Sequence, residues 1–402
     1  MKRWRYAKLA GAMAGIVLIN TAAWKSTPFC DWYVKNIHPF WVNIYARIMG
    51  MFSFSVGEIM LAAGLAATAS ALFCGMIAAA AAVRHRGASY SAVVIYCKKY
   101  LKGYAWGFVI TAAVMTLNCF IPYHSSTLEE KYGIPGRMEA SIAEELLSKE
   151  YSLEELGRLR DYIVIRVNQL SAQVERDAYG NIIYPENMEE LIIESMQRLG
   201  EEFDQLSGYY PRPKQLAMSG FFSQQMIKGY FFPFSMEANY NSLMHEINRP
   251  ATICHEYAHL KGFMYEEDAN MIGFLACINS PEVTLQYSGF LSVLNYVNNE
   301  FYEAVGRDDA LYASHPGISS QVSQDNVFLE KETWEEVEER AVIRTEIVDK
   351  VSDKFTETTM VLNGIEDGMR SYTRVVQLLL HYYDGSPELQ QLLSANPSPT
   401  SG

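Results

Sequence analysis

The sequence predicts a mainly α-helical membrane protein, in which three N-terminal transmembrane helices precede an α+β domain with a small sheet. Three observations support this fold class. Apolar runs dominate the first 121 of the 402 residues, helical periodicity dominates from residue 141 onward, and a segment rich in aromatic residues, glycine and proline follows residue 206. We divide the chain into a membrane domain (1–121), a second domain (122–384) and a flexible tail (385–402).

The predicted transmembrane helices correspond to three apolar runs, at about 9–24, 57–83 and 104–121. Each run approaches or exceeds the roughly 20 residues that cross the hydrocarbon layer. The aromatic residues of segment 28–41 suit the membrane interface. Two alternatives stay open: the first run could be a cleaved signal peptide, and the three runs could form a helical bundle in the cytosol.

The distribution of charge predicts the orientation and the partners. Residues 1–121 carry a net charge of +10 and the remainder carries −23. The basic residues concentrate in the N-terminal tail and in a loop predicted at 84–103, so the positive-inside rule places both in the cytoplasm. We therefore expect a multi-pass protein of the cell membrane, with the lipid bilayer as a partner and the second domain extracytoplasmic. The acidic second domain has no basic stripe, which argues against a nucleic-acid partner.

The second domain is predicted to be mainly helical, with helices before and after a small sheet along the chain. Ser152 and Glu155 form a capping box within a helix predicted at 141–177. A strand pair is predicted at 228–241, where Pro233 suits an edge strand. Further helices are predicted at 184–203, 267–279, 281–306, 319–364 and 365–383.

The segment TICHEYAHLKGFMYEEDAN (252–270) carries the pattern His-Glu-x-x-His. On a helix, His255 and His259 lie on one face and can hold one metal ion. Glu256 would project toward the open coordination position, where it would take a proton from a metal-activated water and pass it to a leaving amine. Because the surrounding helix is apolar, we favour a metal site over two surface histidines. Gly262 is predicted to end the helix in a left-handed turn.

The third metal ligand is predicted just past this turn. In a helix that begins near residue 265, Glu266 and Asn270 share a face, so Glu266 would bind the metal and Asn270 would hydrogen-bond a ligating histidine. Glu267 and Asp268 remain alternatives to Glu266. Two histidines and one carboxylate favour Zn²⁺, with a catalytic water in the fourth position.

Four motifs carry a resemblance to a known family: PFSMEANYN, TICHEYAHLKGFMYEEDANMIGFLAC, QYSGFLSVLNYV and GMRSYTRVVQLLL. In this order they resemble an uncharacterised bacterial membrane-protein family, domain of unknown function 3810, which is similar to the HExxH zinc peptidases. The resemblance implies a zincin-like metallopeptidase domain over residues 122–384. In the similar gluzincin group, a Glu-x-x-x-Asp pattern supplies the ligand and its partner. Here Asn270 stands at the position of the Asp, and the spacing from His259 to Glu266 is short for that group.

A zincin also needs groups that bind substrate and stabilise the oxyanion. Tyr372, Arg374 and Tyr287 are candidates for the oxyanion. Glu237 and Asn239 would contact a peptide that adds a strand to the predicted edge. Ordinary packing is the alternative for each.

We expect a membrane-anchored zinc metallopeptidase that hydrolyses a peptide or protein substrate. The alternative is a non-catalytic membrane sensor or scaffold that binds metal or ligand.

Overall fold

The computed structural model describes residues 2–84, 92–133, 149–348, 350 and 371–396. It confirms a mainly helical protein with a small sheet of three strands. The chain divides into two compact units. The membrane unit comprises Met1–Ser125 and Phe232–Glu237, and the motif unit comprises Ser126–Phe231 and Ala238–Gly402.

Three helices of the membrane unit are long and apolar enough to span a membrane, which suggests membrane association: Ala7–Lys25, Val56–Ala81 and Ala92–Tyr123. Their number agrees with the predicted spans. The third begins well before residue 104, so Lys98, Lys99 and Lys102 lie on this helix, and their assignment to a loop at 84–103 is wrong. Lys102 follows Lys99 and Lys98 by three and four residues, which keeps the charged groups on one side of the helix.

The longer helices of the membrane unit are α1 (Lys2–Lys25), α2 (Thr27–Asn36), α3 (Val56–Arg84) and α4 (Ala92–Met115). Short helical turns occupy His38–Phe40, Trp41–Ala46, Arg47–Met49, Thr116–Phe120 and Ile121–Tyr123. The sequence did not predict α2, which begins where the Ser26 hydroxyl accepts the Phe29 N–H (3.3 Å). Cys30, Tyr33 and Val34 of α2 pack with Ala23 of α1 and with Ile121, which follows α4, so buried contacts stabilise this short helix.

The segment Phe232–Glu237 packs within the membrane unit although it is distant from that unit in sequence. The Asn118 side chain donates to the Pro233 carbonyl (3.0 Å), and the Tyr45 hydroxyl donates to the Phe234 carbonyl (2.7 Å). These bonds satisfy backbone acceptors that a turn leaves unpaired.

The motif unit contains α5 (Leu128–Tyr132), α6 (Leu153–Ser171), α7 (Met188–Glu202), α8 (Ser219–Ser223), α9 (Arg249–Leu260), α10 (Glu266–Ile278), α11 (Val283–Ala304), α12 (Asp309–Ala313), α13 (Ser320–Asp325), α14 (Lys331–Arg340), α15 (Ser371–Tyr383) and α16 (Pro387–Ala395). Short 3₁₀ turns lie at Asp204–Leu206 and Glu246–Asn248.

The capping box of α6 is confirmed, because Ser152 and Glu155 exchange backbone and side-chain hydrogen bonds. The helix spans Leu153–Ser171, so the predicted bounds of 141–177 are too wide at 149–152 and at 172–177, while 141–148 lies outside the described residues. The tail predicted to be flexible contains α16, which Ser386 caps.

The sheet consists of β1 (Lys214–Leu216), β2 (Gly229–Phe232) and β3 (Glu237–Asn241) in the order β1–β3–β2, with β1 parallel to β3. The strand pair predicted at 228–241 therefore forms, with β2 at an edge. Pro233 lies in the turn after β2, not within the strand. Its missing N–H suits that position equally well.

The long helix predicted at 319–364 is wrong for the described residues up to 348. The structure has α13 and α14 there, with a non-helical connection between them. The carbonyls of Val327 and Phe328 accept hydrogen bonds from the Asn248 side chain (2.8 Å) and the His245 N–H (2.7 Å). Tertiary bonds thus take acceptors that a continuous helix would use. The rest of that prediction, at 349 and 351–364, lies outside the described residues.

Helix α10 lies at the centre of the motif unit, where it packs against α9, α11 and α15. Gly273 permits the close approach of α10 to α9, because an added Cβ would lie 2.9 Å from the Ala251 carbonyl oxygen and 3.3 Å from the His255 nitrogen. This packing fixes α10 against the helix that carries the His-Glu-x-x-His pattern.

Candidate metal centre

Helix α9 presents both histidines of the motif on one face. Pro250 occupies its first turn, where the missing N–H costs nothing. His255 and His259 follow one helical turn apart, and their Nε2 atoms lie 3.1 Å from each other. Both rings are largely shielded from solvent, with side-chain exposures of 16% and 10%.

The turn after α9 orients the second histidine. Gly262 adopts φ +94°, the left-handed conformation that its position predicts. Its N–H donates to the His259 carbonyl (2.9 Å), and the Phe263 N–H donates to the Ala258 carbonyl (3.0 Å). The chain reverses so that the Phe263 carbonyl lies 2.8 Å from His259 Nδ1. A proton on Nδ1 satisfies this contact and leaves Nε2 available to an ion.

Helix α10 brings the predicted third ligand to the two histidines. Glu266, its first residue, places Oε2 3.2 Å from His255 Nε2 and Oε1 3.5 Å from His259 Nε2. One turn later, Asn270 Oδ1 lies 3.0 Å from His255 Nδ1. Each histidine therefore has an oxygen acceptor at Nδ1 and directs Nε2 toward the Glu266 carboxylate.

The spacing of these donor atoms fits a tetrahedral metal ion. Zinc bonds of about 2.0–2.1 Å at tetrahedral angles separate neighbouring ligand atoms by about 3.3 Å. The three observed separations are 3.1, 3.2 and 3.5 Å. Within the described part of the chain, His255, His259 and Glu266 are also the one group of three such residues close enough to hold an ion. The donor set and its spacing both fit Zn²⁺.

The charge on Glu266 controls the protonation of His259. Burial favours the neutral imidazole, but the Glu266 carboxylate, with smaller contributions from Glu256 and the Phe263 carbonyl, outweighs it and raises the pKa of His259 to about 9. In the absence of an ion, a proton on His259 therefore offsets the charge of Glu266. The Glu266 side chain is 44% exposed, so solvent reaches this side of the cluster.

Glu256 lies beside the cluster in a more enclosed setting. It is 4% exposed, and the backbone N–H of Phe231 on β2 favours the charged form of its carboxylate. Burial raises the pKa of Glu256 to about 7, while His255 and His259 oppose this shift. A carboxyl group with a pKa near neutrality suits proton transfer in both directions.

The alternative ligands, Glu267 and Asp268, bond elsewhere. A Glu267 oxygen lies 3.2 Å from the Arg374 guanidinium. Asp268 accepts the N–H of Leu128 at 2.9 Å and is 1% exposed. The geometry thus favours Glu266, and Arg374 is an ion-pair partner of Glu267. Its role at an oxyanion stays a prediction.

Two further candidates for the oxyanion are tyrosines. The buried Tyr287 hydroxyl donates to Asp325 (2.6 Å), which also pairs with Arg176 (2.6 Å). This network accounts for the conformation of Tyr287 without the metal cluster. The side chain of Tyr372 lies outside the described part of the chain. The catalytic roles of both residues stay predictions.

The two candidate substrate contacts lie on β3. The Glu237 carboxylate accepts the N–H groups of Val56 (3.3 Å) and Gly57 (2.7 Å) within the membrane unit. The Asn239 side chain donates to the Tyr230 carbonyl (3.2 Å) and so joins β3 to β2. Contacts of either residue with a substrate stay predictions.

Sequence reasoning missed two backbone groups of the site, the Phe263 carbonyl at His259 and the Phe231 N–H at Glu256. Backbone groups leave no side-chain signal. Gly262 could have indicated the first, because the left-handed turn determines where the next carbonyl points. The second depends on Phe231, which lies in a strand well before the motif in sequence, and the strand pattern alone does not specify this contact.

Comparison with known proteins identifies the family of this chain. The chain belongs to the family described as "Protein of unknown function (DUF3810)", whose model matches residues 33–380. No curated protein matches the chain, and no solved structure matches it.

Proposed function

We propose that this member of the DUF3810 family is a membrane-anchored zinc metallopeptidase. His255, His259 and Glu266 hold the ion, and Glu256 is the general base and acid. The observation that carries the proposal is the donor set, because ligand atoms of His255, His259 and Glu266 lie 3.1–3.5 Å apart. The buried carboxylate of Glu256, which follows the first histidine, supports it. Zinc, when bound, would polarise the scissile carbonyl and make water a stronger nucleophile.

The residues of the chain divide the remaining work. Glu256 takes a proton from the attacking water and returns it to the leaving nitrogen, a transfer that its pKa near neutrality allows. The Phe263 carbonyl and Asn270 hold the two imidazoles in the orientation that presents Nε2. The peptide would bind along the edge strand β2, where Tyr230 is 41% exposed. By the positive-inside rule, the distribution of basic residues would put this chemistry outside the cytoplasm.

Hydrolysis by purified full-length protein tests the proposal, with an unfolded protein such as casein as substrate. Glu256→Gln keeps the shape of the side chain and removes the base, so we expect stoichiometric zinc and a loss of activity of about 100-fold or more. Glu267→Gln is the matched control, since Glu267 pairs with Arg374 and should leave activity near that of the wild type. Equal hydrolysis by the wild type and Glu256→Gln would contradict the mechanism.

A second candidate function is a membrane sensor or scaffold that binds metal without turnover. The enclosed position of Glu256, which is 4% exposed, favours it, because water must still reach that carboxylate. Stoichiometric zinc in the wild type without hydrolysis of any sequence in a diverse peptide library would support this function over the peptidase.

A further inference from the structure

Gly229, the first residue of β2, lies directly against Glu256. A Cβ added at Gly229 would lie 2.5 Å from Glu256 Oε1 and 2.9 Å from its Cγ. It would also lie 2.7 Å from the γ-methyl of Thr252, one turn earlier on α9. These separations are well inside van der Waals contact, so any side chain larger than hydrogen forces a neighbour to move.

The neighbour that moves most easily is the Glu256 carboxylate. Oε1 is the far end of a flexible side chain, whereas the Thr252 methyl branches from a stiff Cβ on a buried helix. Strand β2 also acts on the carboxylate through a second residue, because the Phe231 N–H favours its charged form. The same strand thus leaves room for Glu256 at Gly229 and attracts its carboxylate at Phe231.

We infer that Gly229 is a positioning residue for Glu256: the absence of a Cβ keeps the carboxylate on the Phe231 N–H and next to the histidines. Gly229 touches no reacting atom and acts only through Glu256. The steric part of this inference stands on the geometry alone, while its consequence for catalysis rests on the proposed function.

Amide hydrogen exchange of metal-free protein tests the steric part without any measurement of activity. In Gly229→Ala the displaced carboxylate no longer accepts the Phe231 N–H, so exchange at this amide should accelerate by about tenfold or more. Glu256→Ala should give the same acceleration. Gly220→Ala, in α8, is the control, because an added Cβ there meets nothing within 4 Å. Unchanged protection of the Phe231 amide in Gly229→Ala would overturn the inference.

Kinetics test the catalytic part. Gly229→Ala should lower kcat by about 100-fold with zinc content and KM near those of the wild type. A second cycle uses Glu256→Gln, in which a further Gly229→Ala should have no effect if Gly229 acts only through Glu256. Additive losses of activity in the double variant would contradict the inference.

Two further comparisons keep the outcomes separate. Gly229→Ala combined with Thr252→Ser removes the methyl contact, so this variant should fold as the wild type does while the carboxylate is still displaced. A wild type that never hydrolyses peptides would reject the proposed function, but the exchange experiment would still decide the role of Gly229. If the wild type is active, full protection of the Phe231 amide in Gly229→Ala would instead reject the role of Gly229 alone.

Discussion

Two hydrogen bonds decide how the histidines face an ion. His259 Nδ1 lies against the Phe263 carbonyl, and His255 Nδ1 lies against Asn270. The first acceptor is backbone and cannot be removed by substitution. The second is a side chain, so it can be tested directly.

Asn270→Ala should weaken zinc binding by about 10–100-fold, because the His255 ring loses the partner that fixes its orientation. Competition with a chelator of known affinity measures this change. Asn270→Asp is the matched comparison, and its carboxylate should bind the Nδ1 proton at least as strongly as the amide does. Unaltered affinity in Asn270→Ala would show that packing alone orients His255.

The pH dependence of zinc binding follows from His259. Glu266 overcomes the effect of burial and raises the pKa of His259 to about 9, so below that pH the ion must displace a proton. Apparent affinity should therefore rise with pH, by about tenfold per unit between roughly pH 6 and pH 8, and level off near pH 9. Titrations at several pH values measure the slope. Affinity that is constant across this range would contradict the protonation assigned to His259.

At the scale of elements, the site depends on α9, the turn after it and α10. Gly262 provides the turn with φ +94°, which an L-amino acid rarely adopts. Gly262→Ala should cost about 1–2 kcal/mol in the free energy of unfolding and weaken zinc binding, because the Phe263 carbonyl moves away from His259. Thermal unfolding and zinc titration measure the two effects. Gly220→Ala again serves as the control, and equal behaviour of both variants would argue against the role of the turn.

The sequence predicts the parts of the site that depend on local geometry. Helical periodicity fixes His255 relative to His259, and the turn at Gly262 makes a carboxylate at 266 reach them. Contacts between distant elements escape this reasoning. The helix predicted at 319–364 breaks because Asn248 and His245 bond its carbonyls. Helix α2 contains aromatic residues that equally suit the membrane interface, so its sequence alone does not predict a helix. Its buried contacts stabilise the helix.

At the scale of the whole molecule, the basic residues predict which side of the membrane the motif unit occupies. A periplasm-active reporter fused after Ser125 should be active, and the same reporter fused after Ala88 should be inactive. A reporter that is active only in the cytoplasm should give the reverse pattern. The opposite result at both positions would place the motif unit in the cytoplasm and change the class of accessible substrates.

Metal analysis of the purified full-length protein tests the central claim most directly, namely that His255, His259 and Glu266 form one zinc site. The wild type should contain about one zinc per chain, as a site with three protein ligands does. Glu266→Ala should lose the zinc, and Glu267→Ala should retain it, since Glu267 pairs with Arg374. Wild-type protein without stoichiometric zinc, or loss of zinc in Glu267→Ala with retention in Glu266→Ala, would contradict the claim.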